Sequence, residues 1–430
     1  MKTLKLFKIK ILKLDMATWI AVFLFLMQNC LYLIDVNKIN TSGSINYSDG
    51  WAVLLLIFMV VVMYKYRNVH LPKPEFRWII AIQIILCFLA AWQELRLTGQ
   101  SFLMGIRPQR FRILIMLSYF PLRKLFLVNK ITILRVKEIV FKYAIIAATL
   151  SIIQQLVYNQ FIFMYCKTDI RYGSVRLYLS TCVIVFAMFF AIENLMKRDF
   201  KVINFVMIAL GFVYLLFVVK GRWHFIAICA AVVVAVIIMN KNVKQKLVYL
   251  AIIIISVFAL LQTPLVSDLL SDNTDGGNTM EIRYEGRELY FNTLKKHPLL
   301  GGGYPNDMYS PAKKAAGIDS AYLLNDNGVF GYAYMFGLLG VASLLYWFGK
   351  MLYMSIKQYR VNGNYFFVMY LVMLIIDAYN ITAWLWVNDS IFMLTLFMCL
   401  LECSGRGKSN YHNKKQYSIG EQSVSNSSSL

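Results

Sequence analysis

The sequence predicts an all-α integral membrane protein of about 12 transmembrane helices, with one long outer loop that contains an amphipathic helix. Three observations carry this expectation. The 430 residues are 59% hydrophobic and 15% charged, with a mean hydropathy of +0.59, too apolar for a soluble domain of that length. Apolar runs of about 17–25 residues, enough to cross a roughly 30 Å hydrocarbon core as helices, recur from end to end. Lysine collects in alternate connecting segments, as the positive-inside bias requires, and a long polar stretch at 263–322 interrupts the pattern.

The first expected span, Ala17–Val36, follows Lys2, Lys5, Lys8, Lys10 and Lys13, which place the N terminus inside. No small-residue cleavage site precedes it, so it is expected to remain as an anchor. Trp51–Tyr66 and Trp78–Trp92 flank an inner loop with Lys65, Arg67, Lys73 and Arg77. Phe111–Val128 holds Pro121, Arg123 and Lys124, compatible with a short, broken or interfacial segment; losing it would reverse the sidedness of everything before it. Ile139–Tyr158, Leu177–Ile192, Val202–Val219, Trp223–Met239 and Leu247–Leu261 complete an N-terminal bundle over 1–262. The outer loop 263–322 leads to a C-terminal group, 323–403, with spans Leu324–Phe348, Tyr365–Thr382 and Ser390–Cys403. The same parity puts Lys130/Arg135/Lys137, Lys197/Arg198/Lys201, Lys241/Lys244/Lys246, Lys350/Lys357/Arg360 and the serine-rich tail 404–430 inside. Both termini are therefore expected to be cytoplasmic, with the tail disordered.

The net charge of +22 is mostly this inner lysine, which sets topology and meets anionic lipid headgroups, so nucleic acid is not an expected partner. Cys30, Cys87, Cys182, Cys229, Cys399 and Cys403 fall in spans and Cys166 alone in an outer loop, which argues against a disulfide framework.

Arginine departs from lysine. Arg96, Arg107, Arg110, Arg112, Arg171, Arg176, Arg222, Arg283 and Arg287 all map on or near the outer face, against the positive-inside bias. Guanidinium offers a planar fork of donors that matches phosphate oxygens and keeps its charge. The set points to an anionic ligand at the outer surface; the plainer explanation is snorkelling to headgroups or pairing with Glu94, Asp169, Glu281 and Glu285. Arg222 opens a span in Lys220-Gly221-Arg222-Trp223-His224, and Arg283 and Arg287 are four apart, on one face of any helix they share.

Within the loop, Asp268–Asn278 reads as a turn, and Met280–Lys296 has helical spacing that Pro298 stops. An amphipathic helix on the outer membrane surface fits. Gly301, Gly302 and Gly303 then allow close backbone approach: either a phosphate cradle of amides or a plain tight turn, and no Gly-Lys-Ser/Thr follows to make a P-loop. Asp326, in Asn325-Asp326-Asn327-Gly328, lies at the mouth of the next span as an N-cap or a catalytic carboxylate. Asp377 and Asp389 map to similar depth. His224 and His297 are possible helpers, although a lone His at a membrane surface is more often structural.

Three patches, Gly221-Arg222, the stretch from Arg283 through His297-Pro298-Leu299-Leu300-Gly301-Gly302-Gly303, and Asp326-Asn327 followed by Gly337-Leu338-Leu339-Gly340, resemble the O-antigen polymerase and ligase superfamily of bacterial membrane glycosyltransferases. The resemblance covers the topology of the whole chain, while the sequence signal sits in those patches. It implies a GT-C-like architecture in the bacterial cytoplasmic membrane. It also implies a substrate oligosaccharide on undecaprenyl diphosphate, metal-independent transfer without cofactors, and possible flippase and chain-length regulator partners. Diphosphate binding falls by resemblance to Arg222 and to Arg283 or Arg287; His224, His297, Gly301, Gly303 and Asn327 are taken as supporting residues. Ligases of the family carry His-Asn where this chain has Asp326-Asn327, a departure that favours the polymerase branch. A ligase, a peptidoglycan glycan-strand polymerase and a lipid-linked sugar flippase are the alternatives. A flippase is expected to show midplane charges and repeated halves, which this sequence lacks.

Overall fold

The computed structural model describes residues 15–42, 46–171, 174–239, 242–247, 250–251, 279–320, 322, 324–380 and 383–404. The N-terminal lysines, nearly all of the ninth expected span (Leu247–Leu261), the Asp268–Asn278 turn and the tail after Ser404 lie outside the described residues.

The protein is mostly helical, at 76%. Among the described residues, three helical stretches are long and apolar enough to cross a membrane: Tyr47–Lys65 with 19 residues, Arg77–Thr98 with 22 and Leu324–Asn362 with 39. Shorter apolar helices at Thr18–Met27, Cys182–Met196, Val202–Val218, Trp223–Ile238 and Phe366–Tyr379 accompany them. Val53, Ile57, Val60 and Val61 of the first stretch are exposed, an unpartnered apolar surface that suits lipid contact.

The first helix, α1 (Thr18–Met27), is shorter than the expected 17–36 span. Asn29, Cys30, Leu31 and Tyr32 follow in succession with positive φ, a conformation through which an L-residue helix does not continue. Tyr165 N–H donates to the Tyr32 carbonyl at 2.6 Å, and Ser180 N–H to the Tyr32 hydroxyl at 2.9 Å, holding the turn. After α2 (Val36–Ser42), α3 (Tyr47–Lys65) and α4 (Arg77–Thr98), the fourth expected span resolves into two helices, α5 (Phe102–Leu117) and α6 (Tyr119–Leu127), separated by Ser118.

Next come α7 (Ile133–Val157), a hairpin of β1 (Thr168–Arg171) and β2 (Ser174–Leu177), α8 (Cys182–Met196) and α9 (Val202–Val213). The hairpin is antiparallel with Asp169 opposite Arg176. A π turn at Tyr214–Val218 ends α9, and α10 (Arg222–Ile238) starts at Arg222 behind Gly221. The loop then contributes α11 (Thr279–Lys296) and the short α12 (Ser310–Ala315). A 3-10 turn at Leu324–Asn327 leads into α13 (Gly328–Asn362), followed by α14 (Phe366–Asn380), α15 (Ala383–Trp386) and α16 (Asn388–Cys403). Where α8, α14 and α16 meet, aromatic rings form the centre: Phe190 stacks on Phe366 at 4.0 Å and Tyr370 lies 4.8 Å from Phe397.

Helix α13 breaks at Gly337, whose φ of 63° and ψ of −162° are not helical. Freed backbone groups inside a bundle must find partners, and the glycine loop supplies them. Leu338 N–H donates to Pro298 O at 2.8 Å, Leu339 N–H to Leu299 O at 3.3 Å, and Gly302 N–H to Tyr334 O at 2.6 Å. A Cβ on Gly301 would lie 2.1 Å from Tyr334 O, and one on Gly303 2.6 Å from Glu94 N in α4. Of the two sequence readings of this loop, the structure assigns the Gly302 amide to helix repair.

Candidate functional site

The expected helix at 280–296 is observed as α11 (Thr279–Lys296). It packs against α13 and against the 3-10 turn before it. Tyr290 is 1% exposed, donates its hydroxyl to Tyr322 O at 2.9 Å and sets its ring 5.0 Å from Tyr334. Tyr322 in turn donates to Glu285 Oε2 at 2.8 Å. Gly286 makes the close approach possible, because a Cβ there would stand 3.2 Å from Asn327 Nδ2 and 3.3 Å from Tyr322 Cβ.

One turn along the same face as Arg283, Arg287 places its guanidinium 5.0 Å from the Phe330 ring of α13 and 4.9 Å from the Tyr379 ring of α14. Two aromatic faces hold a cation without cancelling its charge. Tyr379 also lies 6.2 Å from Trp223 of α10, and Trp223 Nε1–H donates to Ile376 O at 3.2 Å. Arg222, the residue before Trp223, is the first residue of α10; its side chain lies outside the described atoms. Tyr379 thus links the start of α10 to Arg287.

Asp326 is half-buried in the 3-10 turn. The N-cap position of α13 belongs to Asn327, and it makes no side-chain cap bond, so Asp326 is not the cap that its place in sequence allows. Its charge reaches Tyr290: burial first, then Asp326, holds the Tyr290 hydroxyl well above its ordinary value. Nearby, Tyr178 donates to Asp169 Oδ2 at 2.6 Å. Arg176 lies 4.4 Å over the Tyr178 ring and its Nε–H donates to Val219 O at 2.8 Å, tying the hairpin to the chain just ahead of Arg222.

His224 is not a lone histidine. Its Nδ1 is 3.0 Å from Asp377 Oδ2 and 3.2 Å from Oδ1, which leaves Nε2 as the nitrogen not engaged by that carboxylate. The pair bridges α10 and α14. His297, by contrast, lies ten residues beyond Arg287 near the α13 break, about 15 Å further along at the helical rise. Gly301 and Gly303 are there too. The structure therefore gathers the start of α10, Arg287, Asp326 and Asn327, adds His224 at their edge, and leaves His297, Gly301 and Gly303 apart.

Among the other arginines expected at the outer face, Arg110 pairs with Asp49 at 2.7 Å and Arg96 lies 4.8 Å over Trp92. Arg112 is 5% exposed, donates to Gln83 Oε1 at 2.5 Å and stands 5.2 Å from the Phe336 ring. Among the described residues, no group of three or more His, Cys, Asp or Glu is placed to hold a metal ion. Sequence reasoning missed Phe330 and Tyr379, and noted Asp377 only for its depth and not as the partner of His224, since aromatic rings and acids near helix ends are ordinary in membrane proteins. No protein-family model matches this chain, and none of the curated proteins matches its sequence.

Proposed function

We propose that the protein is a polymerase of lipid-linked oligosaccharide repeat units, moving the growing glycan from undecaprenyl diphosphate to the next lipid-linked unit. The product would be O-antigen, capsule or exopolysaccharide. The observation that carries this reading is Arg287, held between Phe330 and Tyr379 beside the Asp326 turn and close to the start of α10. It goes with a bacterial cytoplasmic membrane protein of about 12 spans, both termini inside and the 263–322 loop outside.

In the proposed reaction Arg287, with Arg283 on the same helix face and Arg222 at the start of α10, neutralises the diphosphate as its charge grows. Fixed cations aimed at developing charge lower the barrier most where water is excluded. The acceptor hydroxyl oxygen bonds to the anomeric carbon, its proton passes to Asp326, and the carbon–oxygen bond to the diphosphate breaks with its electron pair on the leaving oxygen. Direct displacement inverts the anomeric centre.

The test is reconstitution of the full chain in liposomes with purified lipid-linked repeat unit. Elongated products that vanish in Arg287→Ala, with the variant still monodisperse, are the expected result. Movement of the substrate across the bilayer without new glycosidic bonds would replace the enzyme with a flippase.

A further inference from the structure

On the other side of the 3-10 turn lies a cleft of about 500 Å³, walled by the first half of α5, the 304–308 loop and Trp386 at the end of α15. That volume falls in the range of about 300–1,000 Å³ usual for small-ligand sites. Trp386 and Tyr304 line it, their rings 5.7 Å apart and tilted by 39°. Arg107, Asp307 and Asn325 also line it, and among the described residues the side chains of these three make no hydrogen bond or ion pair. The wall is braced: Asn306 Nδ2 donates to Met104 O at 2.7 Å, and its N–H donates to Gln100 Oε1 at 2.7 Å.

A 3-10 turn advances three residues per revolution, so neighbouring side chains project about 120° apart. Leu324 and Asn325 contribute to the cleft, whereas Asn327 meets Gly286 of α11 and Asp326 acts on Tyr290. Residues of this one turn thus serve both sides, Leu324 and Asn325 the cleft and Asp326 and Asn327 the side that faces α11.

We infer that this cleft binds the acceptor glycan: a sugar ring against Trp386 and Tyr304, its hydroxyls bonded to Asn325, Asp307 and Arg107. Carbohydrate is the occupant this lining fits. A ring offers an apolar face for an aromatic partner and an equatorial fringe of hydroxyls for amide, carboxylate and guanidinium groups. The inference rests on the polymerase reading in calling the glycan an acceptor. Donor diphosphate and acceptor sugar then approach the Asp326 turn from opposite sides.

The experiment incubates the detergent-solubilised full chain with a printed array of lipid-free oligosaccharides containing neutral, amino and acidic sugars. Wild type is expected to retain a subset of them. Trp386→Ala and, separately, Asn325→Ala weaken that binding by about tenfold, the loss of one well-placed contact, while Trp386→Phe retains it. Arg287→Ala binds like wild type, since these probes carry no diphosphate. No retention by wild type, or unchanged binding in monodisperse Trp386→Ala and Asn325→Ala, overturns the inference. Glycan retention that depends on Trp386 in a chain that makes no polymer would leave the cleft standing and remove the polymerase.

Discussion

The guanidinium of Arg287 lies 4.9 Å from the centre of the Tyr379 ring, although the two residues belong to different helices, α11 and α14. The ring lies within cation–π reach of the guanidinium and helps to position its fork of donors. Arg287→Lys is therefore not conservative, because an ammonium cannot offer two parallel donors to a diphosphate. Elongation rates measured in liposomes are expected to fall by about 100-fold in both Arg287→Ala and Arg287→Lys. A lysine variant that works like wild type would show that charge alone suffices.

Tyr379→Phe keeps the aromatic face and is expected to elongate normally, whereas Tyr379→Leu removes it. A cation–π contact is worth about 0.5–2 kcal/mol, so the leucine variant should bind the lipid diphosphate several-fold more weakly. Competition by inorganic diphosphate in the elongation assay reads this out. Equal sensitivity in the two variants would mean that the hydroxyl or the packing, not the ring face, positions Arg287.

Asp326→Asn is expected to lower turnover by about 100-fold or more, the contribution of a positioned proton acceptor. The N-cap position of α13 falls to Asn327, so the variant should unfold at the wild-type temperature in detergent. A large drop in that temperature would return Asp326 to a structural role.

Gly286 and Gly301 should separate function from stability. At Gly301, φ is +67° and a Cβ would meet Tyr334 O at 2.1 Å. Gly301→Ala is thus expected to lose about 1–3 kcal/mol to backbone strain and a similar amount to overpacking. Gly286→Ala meets only 3.2 and 3.3 Å contacts with Asn327 and Tyr322, so it should shift α11 by tenths of an ångström. It should slow elongation with little change in thermal stability.

Local signals made parts of this fold legible. Helical spacing ending at Pro298 marked α11 to within a residue, and Gly221 before Arg222 marked the start of α10. Pairings across the chain were not legible. Asp377 is 153 positions from His224, and helical periodicity carries no information at that range. The glycine loop was ambiguous for a different reason: three glycines announce close approach but not what is approached, which here is the backbone of α13 at its break. Left-handed residues at Asn29–Tyr32 had no sequence signal, since none is glycine.

The fourth expected span looked broken because it held Arg123 and Lys124, and the structure gives a reason to bury one of them. Arg123 Nε–H donates to Glu402 Oε1 of α16 at 2.6 Å, with the two side chains 4% and 1% exposed. The Tyr119 hydroxyl donates to the same carboxylate, and the second Arg123 nitrogen donates to Pro72 O at 2.7 Å. Glu402→Ala would leave the guanidinium buried without its counter-charge, a loss of about 3–5 kcal/mol. Replacing both partners, Arg123→Met with Glu402→Leu, removes the charge and its desolvation cost together and is expected to recover most of that stability. Thermal unfolding of the two variants in the same detergent makes the comparison. If the double variant is as unstable as Glu402→Ala, the bonds from Arg123 to Pro72 and from Tyr119 to Glu402 hold α6 in place, and the ion pair contributes little beyond them.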